Sequence, residues 1–451
     1  MPTMTFDRTL LGEPFAGTSG EHVGLEVEAG LVDPETGHSI PYEGPNGTGS
    51  IITALAGDAT AAGEDASVVA EDGCPLAVDF GSGDRFSLEM GGALEYSSAV
   101  HGNVAEAVVH TGHRLRQAAR VAHTKGAAIL SGGFLPFTPT IDIPWVPKRR
   151  LGIMREHFLS TGEDSTLIDA SMGLTLSTQV TLDYSDDDLG EKVRAITLAS
   201  PIVAGMFVNS PLSHGTFDGV LSQRMRAIRH TDPDRFGVLP FAVEREPDID
   251  DFVTWALSRP MIFREHGDSY IPAPGGTFDE LLTDGFGDGS SPAMSDWNCH
   301  LDQIWPQVRV RGTLEIRICD GPFWPHIGSV PAFWAGLLYH APSRRAAIDL
   351  LDGLTLDDLE AATGQVSRDG LKAQAGGRPV AGLCRALLGL SETGLTTRIR
   401  EGSEAPGTQR LLAPLWDVVR SGRTQAERGL GRWRGEFGES PAAYVRAHRV
   451  R

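Results

Sequence analysis

The chain has few cysteines, no long apolar run and no surplus of positive charge, and each lack removes a class of function. Its four cysteines, Cys74, Cys299, Cys319 and Cys384, are scattered through 451 residues with no CxxC pair. That excludes a disulfide-stapled scaffold and fits a reducing compartment, where free thiols pack as small apolar residues. No stretch reaches the ~18–20 apolar residues that span a bilayer. The opening segment MPTMTFDRTLLGEPFAG has no basic start followed by an apolar stretch, so no signal peptide is read and a soluble, cytoplasmic protein is expected. Thirty-nine Lys and Arg face 59 Asp and Glu, a formal charge of −20. Nucleic acid and anionic membrane surfaces are thereby excluded as partners. Nucleotides are not, since divalent cations bridge two sets of negative charge. There is no internal repeat and no GxxxxGK[ST]; the Gly-rich GGFLPF at 132–137 lacks the lysine of a phosphate loop.

What remains is an ordinary globular composition, 41% apolar and 22% charged, long enough for about three average domains or one large one. Residues 33–82 read as a long surface excursion between two strands, with one short helix at 49–56. A helix is expected over 103–125, capped by Asn103 and ended by Gly126. The acidic turn Asp186-Asp187-Asp188 opens one or two helices over 186–208, broken at Ser200-Pro201. Another helix covers 330–341, bounded by Pro342. From 343 onward the chain reads as helical, with starts at Thr355 and Ser391 and breaks at Gly376-Gly377 and Pro406-Gly407. Residues 420–451 carry eight arginines and three glutamates, a solvated helical tail against an acidic body.

The chemistry is expected from four segments that alternate with period two, so that one face of each is apolar and the other polar. In HVGLEVEAGLVD, Val23, Leu25 and Val27 oppose Glu26 and Glu28. In TLSTQVTLDY, Leu176, Val180 and Leu182 oppose Ser177, Gln179, Thr181 and Asp183. In VRVRGTLEIRI, the face of Val308, Val310, Leu314, Ile316 and Ile318 opposes Arg309, Arg311, Thr313, Glu315 and Arg317, and each segment is read as a half-buried strand. In RFSLEMGGALEYSS, Gly91-Gly92 marks a tight hairpin. A three-residue loop over Gly91, Gly92 and Ala93 sets Glu89 directly opposite Glu95, a repulsive pair unless a cation lies between them; a two-residue loop puts them on opposite faces. Carboxylate-rich faces with arginines concentrated on one strand suit Mg²⁺ or Mn²⁺ and a nucleotide spread across a sheet.

These motifs resemble the glutamate–cysteine ligases, in the branch shared by plants and many bacteria. The resemblance runs from about 22 to 341, through GLEVE (24–28), SLEMGGALEYSS (87–98), DIPWVPKRRLGIMREH (142–157), TQVTLDYS (178–185), FVNSPL (207–212), LSQR (221–224), TDPDRFGVLPF (231–241), LEIRICDGPFW (314–324) and VPAFWAGLLY (330–339). It implies an α+β, glutamine-synthetase-like fold: a curved antiparallel sheet forming a funnel, helices on its outer face, a catalytic region 1–342 and a helical region 343–451. It implies ATP-dependent joining of the glutamate γ-carboxylate to the amine of L-cysteine through a γ-glutamyl phosphate, with the dipeptide supplying glutathione or ergothioneine synthesis. The implied partners are small molecules: ATP, glutamate and an amine.

By position, the resemblance implies Glu26, Glu28, Glu89, Glu95 and Glu315 as metal-binding carboxylates and Arg317 as the arginine on the transferring phosphoryl group. It implies Arg224 as the partner of the glutamate α-carboxylate, and Gln179 and Thr181 as lining the nucleotide and metal region. Arg150 and Lys148, in the PKRR turn, are candidates for substrate or phosphate contacts, with a surface basic loop as the equal alternative. The chain departs from the family at Thr181, where Asn is common, at Ile228, where an aromatic is common, and at Tyr96-Ser97-Ser98, where relatives read LSG. A different amine acceptor in specialised biosynthesis, or a non-catalytic nucleotide- or glutamate-binding regulator, are the alternatives. His110 and His113 lack a third zinc ligand; Cys299 and His300, being adjacent, diverge and read as packing. Trp297, Trp305, Trp324 and Trp334 read as core and pocket walls.

Overall fold

The computed structural model describes residues 7–161 and 164–451; the first six residues of the segment read for a signal peptide lie outside the described residues. Nine strands carry the fold: β1 (Val23–Val32), β2 (Ala66–Glu71), β3 (Cys74–Phe80), β4 (Arg85–Leu88), β5 (Leu94–Ser97), β6 (Ala128–Leu130), β7 (Thr178–Leu182), β8 (Val308–Val310) and β9 (Leu314–Ile316). They form one antiparallel sheet in the order β8-β9-β7-β1-β5-β4-β3-β2, with β6 paired to the far end of β1. The apolar faces expected from the alternation are the buried ones. Val23, Leu25, Val180, Leu182, Leu314 and Ile316 are at most 2% exposed and share one core with the helix Leu189–Phe207. Each such side chain contributes about 1.5–3 kcal/mol by leaving water. Helices Thr48–Ala61 and Val104–Thr124 cover the other half of the same side, over a second core that includes Leu31, Ile52 and Leu115. The opposite face is left to the polar residues.

Several local expectations meet the structure directly. Asn103 caps its helix by accepting from the Glu106 amide, and Gly126 follows the helix end with φ +75°. Thr355 and Asp358 form a capping box, and Gly376-Gly377 turns between two short strands.

Others need correction. The expected excursion at 33–82 holds β2 and β3, which extend the sheet to its edge. Their turn, Asp72-Gly73, has positive φ at both residues, the geometry of a tight two-residue hairpin. The acidic, Gly-rich composition concealed it. The helix at 189–207 runs unbroken through Pro201, because packing on nearly every side of that turn offsets the lost hydrogen bond. Pro342 opens the next helix, Ala341–Leu351, instead of closing the previous one, Ser329–Leu338. The segment 308–318 is not one strand but the hairpin β8–β9, turned at Gly312 with φ +68°.

Ser391 starts no helix. It lies inside Val380–Glu401, fully buried, and donates to the Phe333 carbonyl at 2.8 Å. Here the helix crosses Ser329–Leu338 at a contact between Gly336 and Gly394, where an added Cβ at Gly394 would meet the Gly336 carbonyl oxygen. Glycine is required there for close approach, not for its turn-forming freedom. Gly394→Ala is therefore expected to destabilise the protein by about 1–3 kcal/mol through overpacking, read as a lowered midpoint in urea; an unchanged midpoint would show that the crossing has slack.

Candidate active site

Strand register decides which polar side chains meet. On β1, Glu26 lies between Ser97 of β5 and Gln179 of β7, and Glu28 lies directly opposite Glu95. The β4–β5 turn is Met90-Gly91-Gly92: Glu95 pairs with Ser87, and the Glu89 amide donates to Ala93. The loop has three residues, shifted by one from the three-residue alternative. Glu89 and Glu95 therefore share a face diagonally, and the directly opposed carboxylates are Glu28 and Glu95. Gln179 Nε2 donates to Glu28 Oε1 at 3.2 Å, and Ser87 Oγ to Glu95 Oε1 at 3.1 Å.

The four glutamates of β1 and the β4–β5 hairpin, Glu26, Glu28, Glu89 and Glu95, line one cavity of about 410 Å³. Four arginines, Arg150, Arg224, Arg309 and Arg317, line it too. Arg224 is carried by the helix Gln223–Arg229, whose N-cap is Ser222. It is nearly buried, and its terminal nitrogens donate to the carbonyls of Ile318 (3.1 Å) and Arg317 (2.8 Å). Arg309 grips Glu315 through two donors, at 2.9 and 2.5 Å, and Arg317 contacts the other oxygen of the same carboxylate.

Burial and mutual repulsion reshape the titrations. Burial, reinforced by Glu89 and Glu95, pushes Glu28 up to about 7. Burial, with Glu89 and Glu26, pushes Glu95 up to about 8. Glu26 is raised by burial against the pull of Arg317 and Arg309. Arg317 is lowered to about 10, by burial and then by Arg309. Reluctant carboxylates and crowded guanidiniums thus line the same cavity. Among the described residues, no three acidic, His or Cys side chains are clustered tightly enough to enclose an ion by themselves. Carboxylates spread along one wall suit a cation that keeps waters and phosphate oxygens in its shell, as Mg²⁺ does.

The remaining candidates separate. Lys148 Nζ lies 3.8 Å from Glu89 Oε1, and Arg150 lines the cavity. Arg149 between them turns away to Asp72 of the β2–β3 hairpin, so the PKRR turn is divided between the site and the surface. Thr181 lines a smaller neighbouring cavity of about 120 Å³, with Glu26 and Thr313. Glu315, expected as a catalytic and metal-binding carboxylate, does not line the large cavity; both its oxygens are engaged, by Arg309 and Arg317. Arg309 was visible on the polar face, but its pairing with Glu315 follows from the turn at Gly312. Glu265 and Tyr270, from the hairpin of Phe263–His266 and Ser269–Pro272, also line the cavity; no motif marked them. His300 is fully buried, pushed down to about 3 by burial, and bonded to the Ala256 carbonyl, while Cys299 lies against Gln303. Both read as packing. His110 bonds the Tyr96 hydroxyl at 3.2 Å.

The model of glutamate–cysteine ligase family 2 matches residues 22–443, a span that holds every residue of this cavity. The chain belongs to that family. It is 35% identical over 357 residues to the chloroplastic glutamate–cysteine ligase of Arabidopsis thaliana, covering 78% of this chain and 67% of that protein. It is 33% identical over 362 residues to the Medicago truncatula enzyme, covering 78% and 68%. The fold resembles a crystal structure of the Francisella tularensis glutamate–cysteine ligase in complex with AMP, with a TM-score of 0.56 at 10% identity, covering 97% of this chain and 91% of that one. The expected architecture, an antiparallel sheet backed by helices, is thus that of a glutamate–cysteine ligase.

The opposed carboxylates of this ligase give a prediction about its stability. Glu28 and Glu95 titrate above the ordinary 4.5, at about 7 and about 8. Between those limits the folded chain holds protons that the unfolded chain has released, so stability falls as pH rises across the window. Glu28→Gln removes one of the repelling charges. It is expected to raise the melting temperature by roughly 2–4 °C at pH 8 and to change it little at pH 5, measured by calorimetry in chelator; equal effects at both pH values would contradict the repulsion.

Proposed function

We propose that this chain joins the γ-carboxylate of glutamate to the amine of L-cysteine at the expense of ATP. The γ-carboxylate oxygen attacks the γ-phosphorus and ADP departs; the amine nitrogen then bonds the carbonyl carbon as the C–O bond to phosphate breaks, and the nitrogen loses a proton. The dipeptide would supply glutathione or ergothioneine synthesis. The observation that supports this most is the cavity lined by the four glutamates of β1 and the β4–β5 hairpin together with four arginines, since joining two anions requires carboxylates to hold cations and guanidiniums to hold phosphate oxygens.

Glu26, Glu28, Glu89 and Glu95 are the carboxylates that would hold Mg²⁺ or Mn²⁺, with Glu315 behind them fixing two arginines. Such an ion would neutralise phosphate oxygens and align donor and acceptor. Arg317 and Arg309, sharing one carboxylate between two positive charges, keep a surplus for the phosphoryl group in flight. Arg224 orients the glutamate α-carboxylate, Gln179 holds Glu28 in place, and Thr181 lies at the nucleotide edge. Arg150, which lines the cavity, and Lys148, beside Glu89, would contact substrate or phosphate. Residues 343–451 act as a helical region packed on the catalytic region 1–342. No helix among the described residues is long and apolar enough to cross a membrane. The four free cysteines favour the reducing cytoplasm as the site of reaction.

The test mixes protein, ATP, Mg²⁺, glutamate and cysteine and follows ADP together with γ-glutamylcysteine by mass. Arg317→Ala is expected to lower kcat by about 10²–10³ with the fold retained by circular dichroism. Glutamate-dependent ADP formation that survives unchanged in Arg317→Ala would defeat the assigned role, and no ADP with any amine would defeat the reaction.

A further inference from the structure

The charged cavity does not end at its arginines. A second chamber of about 220 Å³ adjoins it, sharing Arg224 and Arg317. Most of its wall is apolar, from Met225, Ile228, Phe236, Val238, Trp305 and Ile318, with Gln307 and Thr363 as further polar members. Ile228, Phe236 and Trp305 line both spaces, so they form the partition between them. The rings of Phe236 and Trp305 stack at 5.4 Å with 20° between their planes, which braces it. Arg229, Pro233 and Glu360 are the exposed members, on the side where the chamber meets solvent.

Two polar atoms in this chamber's lining are buried without a hydrogen-bond partner: Gln307 Oε1 and Arg224 Nε. Their residues are only 8% and 5% exposed. Buried polar groups are normally satisfied, and an orphan beside a cavity points to a ligand that completes it. An amide oxygen only accepts, so Gln307 calls for an N–H; the Arg224 nitrogen only donates, so it calls for a carboxylate or carbonyl.

We infer that the chamber receives the side chain of the acceptor, and that acceptors include amines bearing an apolar group larger than the thiomethyl group of cysteine. This rests on the ligase reaction proposed above and names the substrate class of its second site. ATP and the acyl phosphate carry charge and suit the larger cavity, where four arginines meet the four glutamates of β1 and the β4–β5 hairpin; the smaller, mostly apolar chamber suits an uncharged group. An apolar side chain seated there leaves its amine at the junction near Arg317, beside the activated carbonyl. Space is not limiting, since a water takes about 30 Å³ of liquid volume and the chamber exceeds that several times over. Each methylene buried on the way to the transition state is expected to raise kcat/KM about fourfold.

The experiment compares kcat/KM for cysteine, leucine and asparagine with glutamate, ATP and Mg²⁺, reading ADP and product mass. Leucine and asparagine have side chains of similar size and opposite polarity. Leucine is expected to exceed asparagine at least tenfold. Ile228→Trp, which fills the partition, is expected to lower the leucine-to-cysteine ratio at least fivefold. Val238→Trp, on a wall that does not border the charged cavity, is expected to do the same and serves if Ile228→Trp does not fold. Equal use of leucine and asparagine, or a ratio unmoved in the folded variants, overturns the chamber assignment while cysteine turnover leaves the ligase reading standing. Absence of ADP with every amine overturns both.

Discussion

The site depends on a repulsion. Glu28 and Glu95 face each other across two paired strands, with Glu26 and Glu89 lining the same cavity. Like charges so placed weaken a sheet, and burial makes the charge harder still to hold. The sheet tolerates them because its other face is committed. Slipping β1 by one residue would carry Val23, Leu25 and Val27 out of the core and the glutamates into it. Apolar burial behind the sheet thus fixes the register, and the register fixes the carboxylates. A cation held here would be favoured twice, by its own attraction and by the relief of the repulsion.

The facing wall is built by a different device, since its arginines come from separate segments. Asp320, at the end of the strand segment that carries Arg317, accepts from the Asn209 amide (2.9 Å), Ser210 Oγ (2.7 Å) and Ser222 Oγ (2.9 Å). Ser222 is the cap of the helix that presents Arg224. One buried carboxylate, fully engaged, therefore knits FVNSPL, LSQR and LEIRICD together, and Arg224 is placed as a consequence. Such satisfied networks specify a single arrangement. Glu315 does the equivalent work for Arg309 and Arg317.

The sheet faces were legible because alternation is a strong periodic signal: every apolar residue read for β1, β7, β8 and β9 lies in the core. The capped helices at Asn103 and Thr355 were legible for the same local reason. Three kinds of feature were not. Register lies beyond any single strand, so the two-versus-three-residue choice at Gly91-Gly92 stayed open and the true partner of Glu95 was hidden. Tertiary contact overrode local signals at Pro201 and Ser391, where burial outweighed the preference to break or to begin a helix. Residues on the short Phe263–His266 and Ser269–Pro272 hairpin, such as Glu265 and Tyr270, carried no motif that marked them. The cavity's glutamates were legible one by one, but their opposition was not.

The two chambers also divide the problem of handling an activated acyl group. A phosphoanhydride and an acyl phosphate both need dense charge around them, and dense charge draws water, which would hydrolyse the intermediate. Placing an apolar compartment against the arginine wall changes what stands next to the reacting carbon. With Phe236 stacked on Trp305 at the boundary, an occupant that filled the chamber would put an aromatic and apolar surface beside the reacting carbon in place of water. In the proposed reaction, the charge that would stabilise phosphoryl transfer and the apolar surface that would shield its product come from neighbouring residues: Arg224 and Ile228 on one helix, Arg317 and Ile318 on one strand end.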